Sequence, residues 1–301
     1  MLPEKRWNVE SVVRLFASVF LCINLGSVLT GGLSLFQAGK LDARFLVPGA
    51  GALVFIGLSL CLLALPWRLE KFMRRLIVTM VCFEAGLLLS WFAQRNISPG
   101  VVLVPHMVIG VVCFQGAALL VVHLLLRQNQ SGWAETFGFN NASGRAILYG
   151  LIGASIFLPF GWALQMGSAE FLKHLPGLPF NPEEQQAVQT LRVAATLGQR
   201  IVLGMATIVL APIAEELLFR GVLYSWIRHL GYPKLALWIT ALIFALMHLN
   251  PATFLPLALL AVLLAVLYER TGNLLAPIAA HSFFNAFNFA LLYVHQAIYG
   301  T

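Results

Sequence analysis

Nine apolar blocks follow one another along the chain, at roughly 11–36, 46–67, 76–93, 101–126, 146–167, 201–226, 235–249, 255–269 and 274–294. Most match the ~20 residues a helix needs to cross the hydrocarbon core of a bilayer. Lipid offers no partner to an open backbone group, so spans of this length satisfy their N–H and C=O groups internally, as helices. The expected fold class is all-α, a polytopic transmembrane bundle of about 8–9 membrane helices. The seventh and eighth blocks are short, with Asn250-Pro251 between them. They form either two short spans or a hairpin that enters and leaves on one side.

Composition supports the same reading. Hydrophobic residues make up 59% of the 301 positions and charged residues 10%, against about 25% charged in a soluble domain. The net charge of +7 does not point to nucleic acid. Basic residues gather in short loops beside apolar blocks, as in Arg68-Leu69-Glu70-Lys71-Phe72-Met73-Arg74-Arg75, where the positive-inside rule places them. With the N-terminus inside, inside segments hold about twice as many Lys and Arg as outside ones. That bias suggests a bacterial plasma membrane with a cytoplasmic N-terminus. Cys22, Cys61, Cys82 and Cys113 lie inside apolar blocks without CxxC spacing and read as small buried hydrophobes. The first block is too long for a signal peptide and is expected to remain as a span.

Polar stretches divide the chain into a four-span region at 1–126, a linker at 127–145 and a C-terminal domain at 146–301. A second polar segment, 168–200, contains Asn181-Pro182-Glu183-Glu184. A cap residue, a first-turn proline and acids at the positive end of the dipole predict a short helix there, near the membrane surface. In the four-span region Glu84, His106, Gln115 and His123 interrupt the apolar blocks. No two of the four lie at helical spacing from one another, so they read as interhelical hydrogen bonders or interfacial residues.

The last hundred residues differ. Three polar sets lie inside apolar helices: Glu215-Glu216-Leu217-Leu218-Phe219-Arg220, Phe244-Ala245-Leu246-Met247-His248 and His281-Ser282-Phe283-Phe284-Asn285. One charge near mid-membrane costs about 2.5–3.5 kcal/mol, so two glutamates and an arginine on one span must be paired or face water. Glu216 and Arg220 are four residues apart and can pair, whereas Glu215 is rotated ~100° from Glu216. One acid is then neutralised, and the other can face a cavity as a general base, held dry enough to work near neutral pH. His281 and Asn285 share a face, as donors suited to a developing oxyanion. Phe244 and His248 share another, with the aromatic ring over the imidazole. Glu215, His248 and His281 also supply the inventory of a three-ligand metal site with an open position.

EExxxR, FxxxH and HxxxN, in this order on successive apolar helices, resemble the CPBP family. That family comprises CAAX prenyl-protein endopeptidases of the Rce1 kind and bacteriocin-processing and immunity proteins (also called ABI). The resemblance covers about residues 146–294 and leaves the first four spans unplaced. It implies an intramembrane endopeptidase in which Glu215 activates water with help from His248, and His281 and Asn285 stabilise the oxyanion. Glu216 and Arg220 would fix the helix and the charge balance, and Phe244 would shape the pocket. The implied substrate is a membrane-associated protein or peptide, lipidated in the CAAX manner, met in the lipid bilayer. With no HExxH, the reading adopted requires no cofactor; Zn2+ on Glu215, His248 and His281 is the alternative. The alternative function is a non-proteolytic membrane scaffold or immunity protein that keeps the fold. A transporter ranks below both, because internal repeats and paired broken helices are missing.

Overall fold

The computed structural model describes residues 7–37, 53–54, 56–57, 104–139, 142–174 and 196–299. The expected third span, nearly all of the second, Glu84 and the helix expected after Asn181 lie outside the described residues. Every regular element among the described residues is helical. Six helices are long and apolar enough to cross a membrane, and Pro233–Leu246 is a shorter apolar one. The protein is a polytopic helical membrane protein. Contacts separate it into two units, one formed by 8–125 and the other by 1–7 with 126–301.

In the first unit α1 (Val9–Gln37) pairs with α2. Helix α2 runs from Val104–Val111 through a π-helical turn at Val112–Gly116 into Ala117–Gln128. Gly26 sits at the contact: a Cβ there would lie 2.8 Å from the Cβ of Cys113, so only glycine allows this approach. Cys22 and Cys113 are free thiols. Gln115 falls in the π turn, with its side-chain amide oxygen Oε1 buried. His123 is exposed, and the side chain of His106 lies outside the described residues.

The second unit contains α3 (Trp133–Phe137), α4 (Ser143–Lys173), α5 (Leu197–His229), α6 (Pro233–Leu246), α7 (Pro251–Thr271) and α8 (Leu275–Tyr299). Helix α7 is its centre: 56% of its most apolar window is buried, against 22% for α4 and α8. Its small residues Ala258, Ala261 and Ala265 are all buried, which lets α4, α6 and α8 pack close to it. Helix α4 buries Ala146, Gly150, Ala154, Leu158 and Gly161, a narrow stripe at helical spacing. A Cβ on Gly150 would lie 2.2 Å from the carbonyl oxygen of Ala276 in α8, so the two backbones touch. The large side chains of α4 point outward, as Ile156, Phe160 and Met166 show. Such an apolar exterior belongs in lipid.

The eighth block is longer than its sequence suggests. Asn250 caps α7 by accepting from the backbone N–H groups of Ala252 and Thr253, and Pro251 occupies the first turn. Pro256, Glu269 and Arg270 fall inside the helix without ending it; Gly272, at φ 62°, does. The 21 residues of α7 suffice to span. The 14 of α6 cover only ~21 Å. Within 127–145, Phe137 is fully buried and its carbonyl accepts from the backbone N–H of Leu274.

Candidate active site

Helix α5 carries the first polar set, and its backbone is not uniform. Alpha-helical turns at Leu197–Gly204, Ala211–Glu216 and Ser225–His229 alternate with π-helical stretches at Met205–Leu210 and Leu217–Tyr224. Widening a helix to i→i+5 bonding leaves carbonyls short of intrahelical partners. Side chains take them up here. Asn285 Nδ2 donates to the Thr207 carbonyl at 2.8 Å, Ser225 Oγ to that of Arg220 at 2.9 Å, and Trp7 Nε1 to that of Gly221 at 3.4 Å. Both acids of the Glu-Glu pair stand on the short α-helical turn between the two π stretches.

The two glutamates have different surroundings. Glu216 is fully buried, and its Oε1 accepts from Arg220 Nη1 at 2.6 Å and bonds His281 Nδ1 at 2.9 Å. Arg220, also buried, donates through Nη2 to the Ala261 carbonyl at 3.0 Å. Glu216, Arg220 and His281 thereby tie α5 to α7 and α8. Glu215 keeps 15% of its side chain exposed, and its Oε2 lies 3.9 Å from His281 Nε2. That exceeds a direct hydrogen bond, and a single water can bond both atoms across such a gap.

Hydrogen bonding assigns the histidine protons. An ionised carboxylate only accepts, so His281 must donate from Nδ1 to Glu216. Its Nε2 then donates toward Glu215 only when the ring carries both protons. His248 Nδ1 lies 2.8 Å from the Phe244 carbonyl; a carbonyl also only accepts, so the neutral ring presents Nε2 as an acceptor. Phe244 is the hub of the site. Its ring centroid is 4.9 Å from His248 and 5.6 Å from His281, and Arg220 Cζ stands 4.8 Å above it. Phe219 meets the same ring edge-on at 5.4 Å.

Six of the seven residues singled out from the sequence lie on α5, α6 and α8; His248, expected inside a helix, stands in the turn just after α6, which ends at Leu246. Glu215, Glu216, Arg220, Phe244, His248 and His281 form one linked cluster. Asn285 lies one turn beyond His281, with its amide turned to Thr207. An amide nitrogen carries two hydrogens, and the Thr207 carbonyl takes one. Thr207 and Ala261 escaped the sequence reading because both act through carbonyls, which every residue has. Among the described residues no three His, Cys, Asp or Glu side chains are gathered as a metal requires. Glu215, His248 and His281 are accordingly not gathered as three ligands.

Residues 197–287, from the first residue of α5 to the turn after Asn285, match the family model described as Type II CAAX prenyl endopeptidase Rce1-like. This part of the chain is similar to that family. An 81-residue stretch is 40% identical to Uncharacterized protein YpbD of Bacillus subtilis (strain 168), covering 26% of this chain and 39% of that protein. The chain thus spans about two fifths of the length of this curated relative. No solved structure matches the chain. The Rce1-like segment contains EExxxR, FxxxH and HxxxN whole, and every interhelical bond of the cluster except that to Trp7 falls within it.

Proposed function

We propose that the protein is an intramembrane endopeptidase that hydrolyses a peptide bond in a membrane-associated, CAAX-like lipidated protein or peptide. The observation that carries this reading is the asymmetry of the two glutamates: one buried and tied to Arg220 and His281, the other partly open beside His281 Nε2. Glu216 and Arg220 hold the local charge in balance, which leaves Glu215 as the general base. Water between Glu215 and His281 loses its proton to the Glu215 carboxylate and attacks the scissile carbonyl carbon. His248, an acceptor at Nε2, orients that water. The carbonyl oxygen becomes an oxyanion, held by the second amide hydrogen of Asn285 and by His281 Nε2–H in the doubly protonated ring. Collapse breaks the C–N bond, and Glu215 returns the proton to the leaving amine. No covalent acyl-enzyme forms. The setting proposed is a bacterial plasma membrane with the N-terminus in the cytoplasm.

The test is cleavage of fluorogenic lipidated and unlipidated peptides by detergent-purified protein, with and without a strong chelator. Wild type should cleave a lipidated peptide with chelator present, and Glu215→Gln and His248→Ala should cleave it at least about 10²-fold more slowly. Loss on chelation with rescue by zinc would assign Glu215, His248 and His281 as ligands instead. A well-folded wild type inert toward the whole panel would favour the scaffold reading.

A further inference from the structure

The π-helical stretch Leu217–Tyr224 begins directly after Glu216, so its width sets how Glu215 and Glu216 are turned relative to the end of α5. In an α-helix the Gly221 carbonyl would accept from the backbone N–H of Ser225. That N–H bonds the Val222 carbonyl instead. Trp7 Nε1, 214 positions away in sequence, donates to the Gly221 carbonyl at 3.4 Å. Trp7 is buried, at 5% exposure, although it lies ahead of the first helix. Phe137 packs on the same glycine: a Cβ on Gly221 would lie 2.7 Å from its ring. Neither Trp7 nor Phe137 belongs to the family-matched segment 197–287, so the helix that carries the two acids is braced from outside that segment.

We infer that Trp7 is a positioning residue for the candidate active site: its indole N–H holds α5 in the widened register that turns Glu215 toward His281. The kinetic consequence rests on the peptidase reading; the structural one does not. Without that donor, the buried Gly221 carbonyl regains a partner by drawing the Ser225 N–H back to i→i+4 bonding. Narrowing the turn rotates the residues before it against those after it, by up to the ~100° of one residue. The far side is pinned, because Tyr224 and Arg228 both donate to Glu269 of α7. The rotation therefore falls on Glu215 and Glu216. Glu215 Oε2 and His281 Nε2, 3.9 Å apart in the structure, then no longer share one water.

Amide hydrogen exchange of the full chain in detergent, with peptide cleavage measured beside it, tests the assignment. Trp7→Phe keeps an aromatic ring and removes the donor. Exchange across 217–229 should quicken about tenfold, the scale of one hydrogen bond, while exchange across 251–271 stays as in wild type. The kcat per folded molecule should fall about tenfold, with KM within about twofold of wild type. Benzothienylalanine at position 7, which has sulfur where the indole has its N–H, should give the same result with the ring shape intact. It replaces Trp7→Phe if that variant does not fold. Unchanged exchange over 217–229 would overturn the proposal, as would equal quickening over 251–271 or an unaltered kcat per folded molecule. Exchange needs no substrate, so a wild type that cleaves nothing defeats the peptidase reading and leaves exchange to decide the role of Trp7.

Discussion

The α1–α2 pair and the α5–α8 bundle meet the same demand in different ways. Both contain polar side chains at membrane depth, where each needs a hydrogen bond. In α1, Asn24 Nδ2 donates to the Phe20 carbonyl, Ser27 Oγ to that of Ile23 and Thr30 Oγ1 to that of Gly26. Each bond closes within its own helix. In the bundle Arg220 reaches Ala261, His281 reaches Glu216, and Asn285 reaches Thr207. A bond within one helix is satisfied whatever lies beside it, so it specifies no neighbour. A bond across helices holds at one rotation and one register only. Placing catalytic groups takes the second kind, and the cluster consists largely of such bonds.

The contrast can be broken at several points. Arg220→Met should have the largest effect, because it leaves the buried Glu216 carboxylate without its cation. A loss of about 3–5 kcal/mol is expected, read by thermal unfolding in detergent, together with loss of all cleavage. Unchanged stability would mean that the interhelical network does not hold the bundle. Glu215→Gln should separate chemistry from architecture: about 10²–10⁴-fold slower cleavage with an unaltered melting temperature. A matching fall in melting temperature would place Glu215 in the structural network with Glu216.

Smaller effects sharpen the comparison. Gly150→Val pushes a side chain into the Ala276 carbonyl and should cost about 1–3 kcal/mol, as overpacking does. Ser27→Ala removes only a bond within one helix and should stay within about 0.5 kcal/mol of wild type. A cost for Ser27→Ala as large as that for Gly150→Val would erase the distinction between the two regions.

Much of this was legible in sequence. Blocks of ~20 apolar residues specified spans because lipid leaves the backbone no other solution, and α1, α4, α5 and α8 lie where such blocks occur. The seven candidate residues were found by residue type and spacing, since a charge inside a span is costly enough to need a reason. The end of α7 was misjudged. Arg270 was placed beyond the eighth block, but α7 runs on to Thr271, and Glu269, the last residue of that block, accepts from Tyr224 and Arg228 of α5.

What the sequence determined alone is whatever one helix decides by itself. The Glu216–Arg220 pair is of this kind, four residues apart on one face, and so is the 100° that sets Glu215 apart from Glu216. The tertiary structure decided which acid is buried, which nitrogen of His281 is committed and where Asn285 donates. Each depends on the rotation of one helix against another, and the partner of Asn285 is a carbonyl made available by a π-helical stretch. Backbone carbonyls are alike in every residue, so no pattern of side chains can single one out. Only the packed helices do.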